Sequence, residues 1–331
     1  MFAEVEGGSV GRASAMKHSQ VAILLSVNII PIAEKVSGSL EFFDRFQWLT
    51  IVVALLGWAC LYHCSTMAAS LPMQRREAGE ASKSLLLNDE NGTKEEPLSM
   101  RSVKQVLSRR DFLCIIAVNC VHNARSVMHM NFASISTELL VPQAIMAKGS
   151  LALAAFYSLC TLAPQILIIL SERVVLRRGA HALVQDSFLL TIAGSVLLWA
   201  FAGSPWVVML FMLIDSIAVH STAPLFNIII SEFIEDDVVR NGRSKPLSSL
   251  VFGLNALFVK PAQSIAPLAV VYWLNAHGYE AYKQSKTSSD TLVEASRAVL
   301  FIPPLALAAI QYAIFRFYTL GDKNRHRAMT M

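Results

Sequence analysis

A chain of 331 residues that is 54% apolar and only 16% charged cannot coat itself for water, since soluble domains carry about 25% charged residues. Its net charge of +4 sits in short basic blocks such as Arg75-Arg76 and Arg177-Arg178, beside apolar runs, where such blocks act as topology signals. A soluble enzyme is excluded, and so is nucleic-acid binding, which needs a basic face interleaved with aromatics on a soluble fold.

In a bilayer every backbone polar group must be satisfied within its own segment, so each run of roughly 20 apolar residues reads as one helix. Such runs occur near 19–36, 46–71, 112–136, 150–171, 182–203, 205–231, 247–274 and 298–318. The fold class is therefore an all-α, multi-pass membrane protein of about eight transmembrane helices. The first run is interrupted by Asn28 and Pro31 and closed by Glu34-Lys35. Arg12 and Lys17 precede it in the manner of a secretory signal, but no small-x-small cleavage site follows cleanly.

Eight spans put both termini on one side. If that side is cytoplasmic, inside segments hold 20 Lys and Arg residues and outside segments 6, which favours cytoplasmic termini. The segment 72–111 differs in kind, being polar and charged, and reads mostly as a flexible linker. Its end, with Leu98, Val103, Val106 and Leu107 among basic residues, predicts a short amphipathic helix on the membrane surface. The sequon at Asn91 lies inside in this topology and is read as chance. Cys60, Cys64, Cys114, Cys120 and Cys160 form no CxxC pair and read as small buried hydrophobes.

Ionisable groups within a span cost about 2.5–3.5 kcal/mol each at the centre, so each needs a reason. The run 112–136 is the most polar. Asn119, His122, Ser126 and His129 share one helical face, with Arg125 at its edge. That stripe faces protein or water, either as inter-helix hydrogen bonding or as a solute-facing wall. His122 and His129 lie two helical turns apart, too far for one metal ion without other ligands, and neither metal nor cofactor is expected. In the run 205–231, Ser216, His220 and Asn227 share a face, while Asp215 lies either within the bundle or near a solvated helix end. Lys260 is mid-run in 247–274, too far from either end to snorkel comfortably, beside Pro261 and Pro267. It is expected to face a cavity or to pair with an acid such as Asp215.

The stretch 232–264 joins an acidic cluster, a turn with Gly242-Arg243, an apolar run and Lys260 followed by small residues. This resembles the loop between helices ten and eleven of the glycoside–pentoside–hexuronide:cation symporters, the melibiose-carrier branch of the major facilitator superfamily. The chain is more closely similar to the animal transmembrane protein 180 family, also called major facilitator superfamily domain-containing 13. Arg110-Asp111-Phe112-Leu113, Asn131-Phe132, Glu235-Asp236-Asp237, Lys260-Pro261, Gln263 and Ala266-Pro267-Leu268 carry the similarity, in order from about residue 1 to 320.

The resemblance implies a partial major facilitator fold, equivalent to helices five to twelve of twelve. Residues 1–71 would then be a remnant of the N-terminal half with two helices, its opening up to Lys17 the loop before helix five. Residues 72–111 would be the cytoplasmic central loop, and 112–331 the six-helix C-terminal half. Arg177-Arg178-Gly179 would be the remnant of the basic loop after helix eight, and Lys260 the helix-eleven lysine facing the solute cavity. Helices one to four, which carry the acidic residues for cation and sugar in the symporters, have no counterpart here, so the chain is expected to be N-terminally truncated.

The function that follows is a secondary transporter of the solute:cation symporter type. Its partners are a small polar, sugar-like solute, a coupling cation and the lipid bilayer of the plasma membrane. Substrate-binding residues would be Lys260, Arg125, His122, His129, Asn119 and Asp215, acting by hydrogen bonding and charge balance. The alternative is a non-transporting multi-pass protein of transporter ancestry that acts through protein interactions. A membrane enzyme using His122 or His129 as a base finds no nucleophile–base pair, phosphate loop or metal motif in support.

Overall fold

The computed structural model describes residues 8–27, 29, 32–33, 36, 43–70, 100–243, 246–285 and 287–321. Every regular element among them is an α-helix: α1 (Gly8–Val27), α2 (Phe43–Ser70), α3 (Met100–Leu107), α4 (Arg110–Leu140), α5 (Leu151–Leu170), α6 (Glu172–Arg178), α7 (Ala180–Trp199), α8 (Pro205–His220), α9 (Ala223–Asn241), α10 (Ser248–Ala276), α11 (Tyr279–Ser285) and α12 (Asp290–Phe315). The eight apolar runs correspond to α1, α2, α4, α5, α7, the α8–α9 pair, α10 and α12. The short amphipathic helix expected near 98–111 is α3, with Ser102 and Val106 buried beneath it. Most of the expected linker 72–111, with the sequon at Asn91, lies outside the described residues.

Local chemistry sets the helix ends. Ser150 and Ser289 accept the backbone N–H of Leu153 and Leu292, each at 3.2 Å, and so cap α5 and α12. Gly242 closes α9 at φ 58°, a left-handed conformation that only glycine adopts without a steric penalty. The single run expected over 205–231 is divided at Ser221-Thr222. Pro224, in the first turn of α9, has no N–H to continue the ladder and crowds the preceding turn. Of the residues expected to share a face, Ser216 and His220 lie on α8 and Asn227 on α9. The first run also begins earlier than read, since residues from Gly8 onward are already helical.

Among the described residues six spans are long and apolar enough to cross a membrane: Phe43–His63, Leu151–Leu170, Ala180–Trp199, Pro205–Asn241, Ser248–Ala276 and Asp290–Phe315. Helix α4 has 31 residues, about 46 Å of axis, but is too polar to stand in lipid. It is instead wrapped by α8, α9, α10 and α12. It is the central post of the bundle. Around it α12 packs on α7, α8 packs on α5 and α7, and α1 lies across α5 and α6.

The main apolar core joins Phe112, Ile115 and Val118 of α4 to Phe188 of α7, Ile229 and Phe233 of α9 and Phe315 of α12. Helix α2 contrasts with this. None of its apolar window is buried, and Trp58 and Leu61 are 66% and 74% exposed. Cys60 is exposed there too, which corrects its reading as a buried hydrophobe, as does the half-buried Cys120.

Candidate functional site

Three polar groups radiate from α4. The deepest begins at Arg125, which is 2% exposed. Its Nη2 donates to Oδ1 of Asp215 on α8 and to Oγ1 of Thr191 on α7, each at 2.5 Å. Asp215, also 2% exposed, takes His129 Nδ1 on its other oxygen at 2.9 Å. An ionised carboxylate only accepts, so Nδ1 carries the hydrogen. The ring of His220 stands edge-on to that of His129, 5.6 Å between centroids. Ser216, next to Asp215, donates to the Cys160 carbonyl of α5 at 2.6 Å. Helix α4 is thus tied to α7 and α8, and α8 in turn to α5, with Arg125 and Asp215 paired in the interior. A small cavity of about 30 Å³ opens beside the ion pair, bounded by Arg125, His129, Asp215, Ser136 and the prolines Pro303 and Pro304 of α12. It has room for about one or two waters.

A second group is neutral. Asn119 donates to Asn255 of α10 at 2.9 Å, Asn123 donates to the Asn119 side chain at 2.9 Å, and Gln263 of α10 donates to Asn123 at 2.8 Å. This amide ladder is the seam between α4 and α10. The face that joined Asn119 to His129 in the sequence is divided in space: the amides go to α10, the histidine to α8. His122 sits between them, 2% exposed, its ring tilted at 45° against that of Phe226 with 4.8 Å between centroids. Neither of its ring nitrogens has a hydrogen-bond partner among the described residues.

Lys260 stands apart from all of these. It is exposed near the middle of α10, on a helix whose buried residues are Val251, Val259, Val270 and Leu274. The expected pairing of Lys260 with Asp215 is corrected, because Arg125 and His129 occupy both carboxylate oxygens. The solvated helix end offered as an alternative for Asp215 is corrected by its burial. The expected residues therefore form one cluster (Arg125, His129, Asp215), one seam residue (Asn119), one buried ring between them (His122) and one exposed cation (Lys260).

The third group closes the two ends. At one end Arg109 pairs with Asp236 and lies 3.6 Å from Asp237, with its guanidinium 4.4 Å over the Phe233 ring. Arg243 bonds Asp237 at 2.7 Å and Gln105 of α3 at 2.9 Å, and Asp111 accepts the backbone N–H of Thr319 at 2.7 Å. Lys17 of α1 reaches Glu172 of α6 at 2.9 Å. The acidic cluster in the last turns of α9 is thus a clasp that binds α3, through Arg243, and the start of α4, through Arg109. At the other end Tyr282 of α11 donates to Glu138 at 2.6 Å, and Lys148 pairs with the same carboxylate at 2.7 Å. Burial first, and the bond to Glu138 second, push the Tyr282 hydroxyl above its ordinary value.

Thr191, Asn255 and Gln263 as hydrogen-bond partners were not visible as site residues. Thr191 is one hydroxyl in an apolar run, and nothing in its spacing marks it. Asn255 lies at helical spacing from Lys260 only loosely, but its distance from Gln263, two turns along α10, was a legible signal for one polar seam.

Comparison with known proteins agrees with this architecture. Transmembrane protein 180 of Gallus gallus is 26% identical over 311 residues, covering 86% of this chain and 60% of its own length. Transmembrane protein 180 of Mus musculus is 27% identical over 186 residues, covering 55% of this chain and 35% of its own. The chain thus spans about three-fifths of the length of the chicken relative. The family model described as MFS/sugar transport protein matches residues 19–322, and the chain belongs to that family, an integral multi-pass membrane protein with part of a major facilitator fold.

Proposed function

We propose that this chain is part of a secondary transporter that moves a small polar, sugar-like solute together with a cation. The observation that carries the reading is Lys260. A lysine in mid-span on the uncovered face of an apolar helix costs several kcal/mol against lipid tails, so that face of α10 is one that meets water. Pro261 and Pro267 beside it loosen the backbone ladder, which is tolerated where a helix lines a cavity. The amide seam lies on the same helix and offers donors and acceptors of the kind that recognise hydroxyl groups. Asn119, together with Lys260, lines the solute path in this reading. Arg125, Asp215, His129 and His122 form its charged flank within the bundle, and the termini face the cytoplasm at the plasma membrane.

The test is uptake of labelled sugars and polyols by cells producing the chain, alone and together with the part of the chicken relative that it does not match. The expected result is uptake driven by a cation gradient that falls at least tenfold in Lys260→Ala with protein level unchanged. Uptake that survives both Lys260→Ala and Asn119→Ala contradicts the solute path. A second reading, a non-transporting protein that works through protein contacts, draws on the uncovered apolar surface of α2. Folded protein with no uptake of any solute in either preparation favours it.

A further inference from the structure

We propose that the wedge between the last turns of α4 and the first turns of α5 binds a neutral, polyhydroxylated small molecule, and that it is the outer station of the solute in the transporter reading. The place on the solute's route rests on that reading; the binding site itself does not.

Three pieces of sequence build the wedge. Ser134, Thr137 and Glu138 stand three and four residues from the first of them, so they share one face of α4. Leu153 and Tyr157, four residues apart on α5, line the other wall. The loop 141–150 closes the third side, and its fold is fixed. The Pro142 carbonyl accepts the N–H groups of Ile145 and Met146 at 2.9 and 3.2 Å. The side-chain oxygen of Gln143 accepts the Lys148 N–H at 3.2 Å, and Val141 and Met146 are buried in one apolar cluster with Leu153. Between these walls lies a cavity of about 100 Å³, against about 30 Å³ beside Arg125. It has room for several waters or for a fragment of similar size. It sits at the end of α4 opposite the Arg109–Asp236 pair, the outer end when the termini are cytoplasmic.

The lining fixes the class of ligand. Its acid and its base, Glu138 and Lys148, pair with each other at 2.7 Å, so the cavity bears no net charge and favours neither a free cation nor a free anion. The Lys148 ammonium has three donors and spends one on Glu138. The Gln143 oxygen is spent on the loop backbone, which leaves the two donors of its NH2. Thr137 gives its hydrogen to the Ala133 carbonyl at 2.6 Å, so its oxygen can only accept from a ligand, and the Ser134 hydroxyl can do either. A matching ligand gives and takes hydrogen bonds at close spacing without carrying charge, which is what adjacent hydroxyls do. Met146 and Leu153 supply an apolar floor for the C–H face of the same molecule. Tyr282 of α11 donates to the Glu138 oxygen that Lys148 also meets, so the carboxylate is in position before a ligand arrives. A metal ion is not matched, because the described residues hold no group of three His, Cys, Asp or Glu side chains disposed for one.

The experiment is saturation-transfer nuclear magnetic resonance on the chain in nanodiscs of phosphatidylcholine, a lipid whose headgroup carries no hydroxyl. Glucose, myo-inositol and glycerol at millimolar concentration are the probes. The expected result is transfer to the C–H protons of at least one probe. Its affinity should fall roughly tenfold in Lys148→Met, the weight of one hydrogen bond to a charged group, and by a smaller factor in Ser134→Ala. Both positions are exposed, so the variants should fold; if Lys148→Met does not, Ser134→Ala decides. Transfer to none of the probes, or affinity unchanged in both variants, overturns the site. Transfer lost in Lys260→Ala and kept in Lys148→Met places the molecule against α10 and overturns it as well. Uptake of the same probes separates the two readings. Binding that depends on Lys148, without any uptake, leaves the site standing and sinks transport. Uptake whose KM is indifferent to Lys148→Met and Ser134→Ala leaves transport standing and sinks the outer station.

Discussion

Two sides of α4 solve the problem of polarity in a membrane differently. Toward α7 and α8 the helix presents charge: Arg125 and the partly buried His129 converge on Asp215, with Arg125 and Asp215 buried and mutually neutralised. Toward α10 it presents amides: Asn119 and Asn123 meet Asn255 and Gln263 with no charge at all. The charged side is expensive to disturb, because removing one partner strands the other in a medium that cannot solvate it. The neutral side is forgiving. Inter-helix hydrogen bonds within membranes are worth about 0.6 kcal/mol on average, so α10 can shift against α4 at little cost. Within one helix, the first arrangement fixes a bundle and the second leaves a seam that is cheap to rearrange.

The comparison is broken most directly on the charged side. Asp215→Ala should cost about 3–5 kcal/mol by leaving Arg125 buried without a counter-charge, and should lower the melting temperature in detergent by on the order of 10 °C. The sharper version replaces both partners. Arg125→Met with Asp215→Leu removes the ion pair whole, and thermal unfolding of the double variant should show a smaller loss than either single substitution, with coupling of more than about 2 kcal/mol. Additive losses would mean that the two residues act separately.

On the neutral side Asn119→Ala should cost only about 1 kcal/mol, read by the same melting assay. A loss as large as that of Asp215→Ala would erase the distinction between the two faces.

Outside the membrane, Tyr282→Phe should cost about 1 kcal/mol by deleting the bond to Glu138. Because burial raises the Tyr282 hydroxyl above its ordinary value of 10.0, its contribution is full below that pH and is lost as the pH climbs through the higher folded-state value. Wild-type protein should therefore lose stability above pH 10 more steeply than Tyr282→Phe. The smallest expected effect is that of Lys260→Ala on stability, within about 0.5 kcal/mol for an exposed residue with no acidic partner among the described residues, whatever it does to uptake.

The spans were legible because lipid imposes a coarse rule, a run of apolar residues of fixed length, and α5, α7, α10 and α12 obey it. The polar post α4 was legible for the opposite reason: a run carrying Asn119, His122, Arg125 and His129 must be enclosed. What spacing could not supply was the partner of each group. Periodicity assigns a residue to a face of its own helix, but Asp215 is 90 residues from Arg125, and a choice between Arg125 and Lys260 as its partner depends on how helices are ordered around the post. The division of α8 from α9 was written in Pro224 but masked by a continuous apolar run. Thr191 carried no signal, since one hydroxyl in a membrane helix usually bonds its own backbone, as Thr191 also does to Ser187 at 3.2 Å.

The account depends most on the face of α10 that bears Lys260. In a cysteine-free background, Lys260→Cys and Leu257→Cys should be treated in intact membranes with a water-soluble maleimide and, separately, with a lipid-soluble thiol probe. Position 260 is expected to react with the aqueous reagent. Labelling of position 260 by the lipid-soluble probe alone, from either side of the membrane, would contradict it.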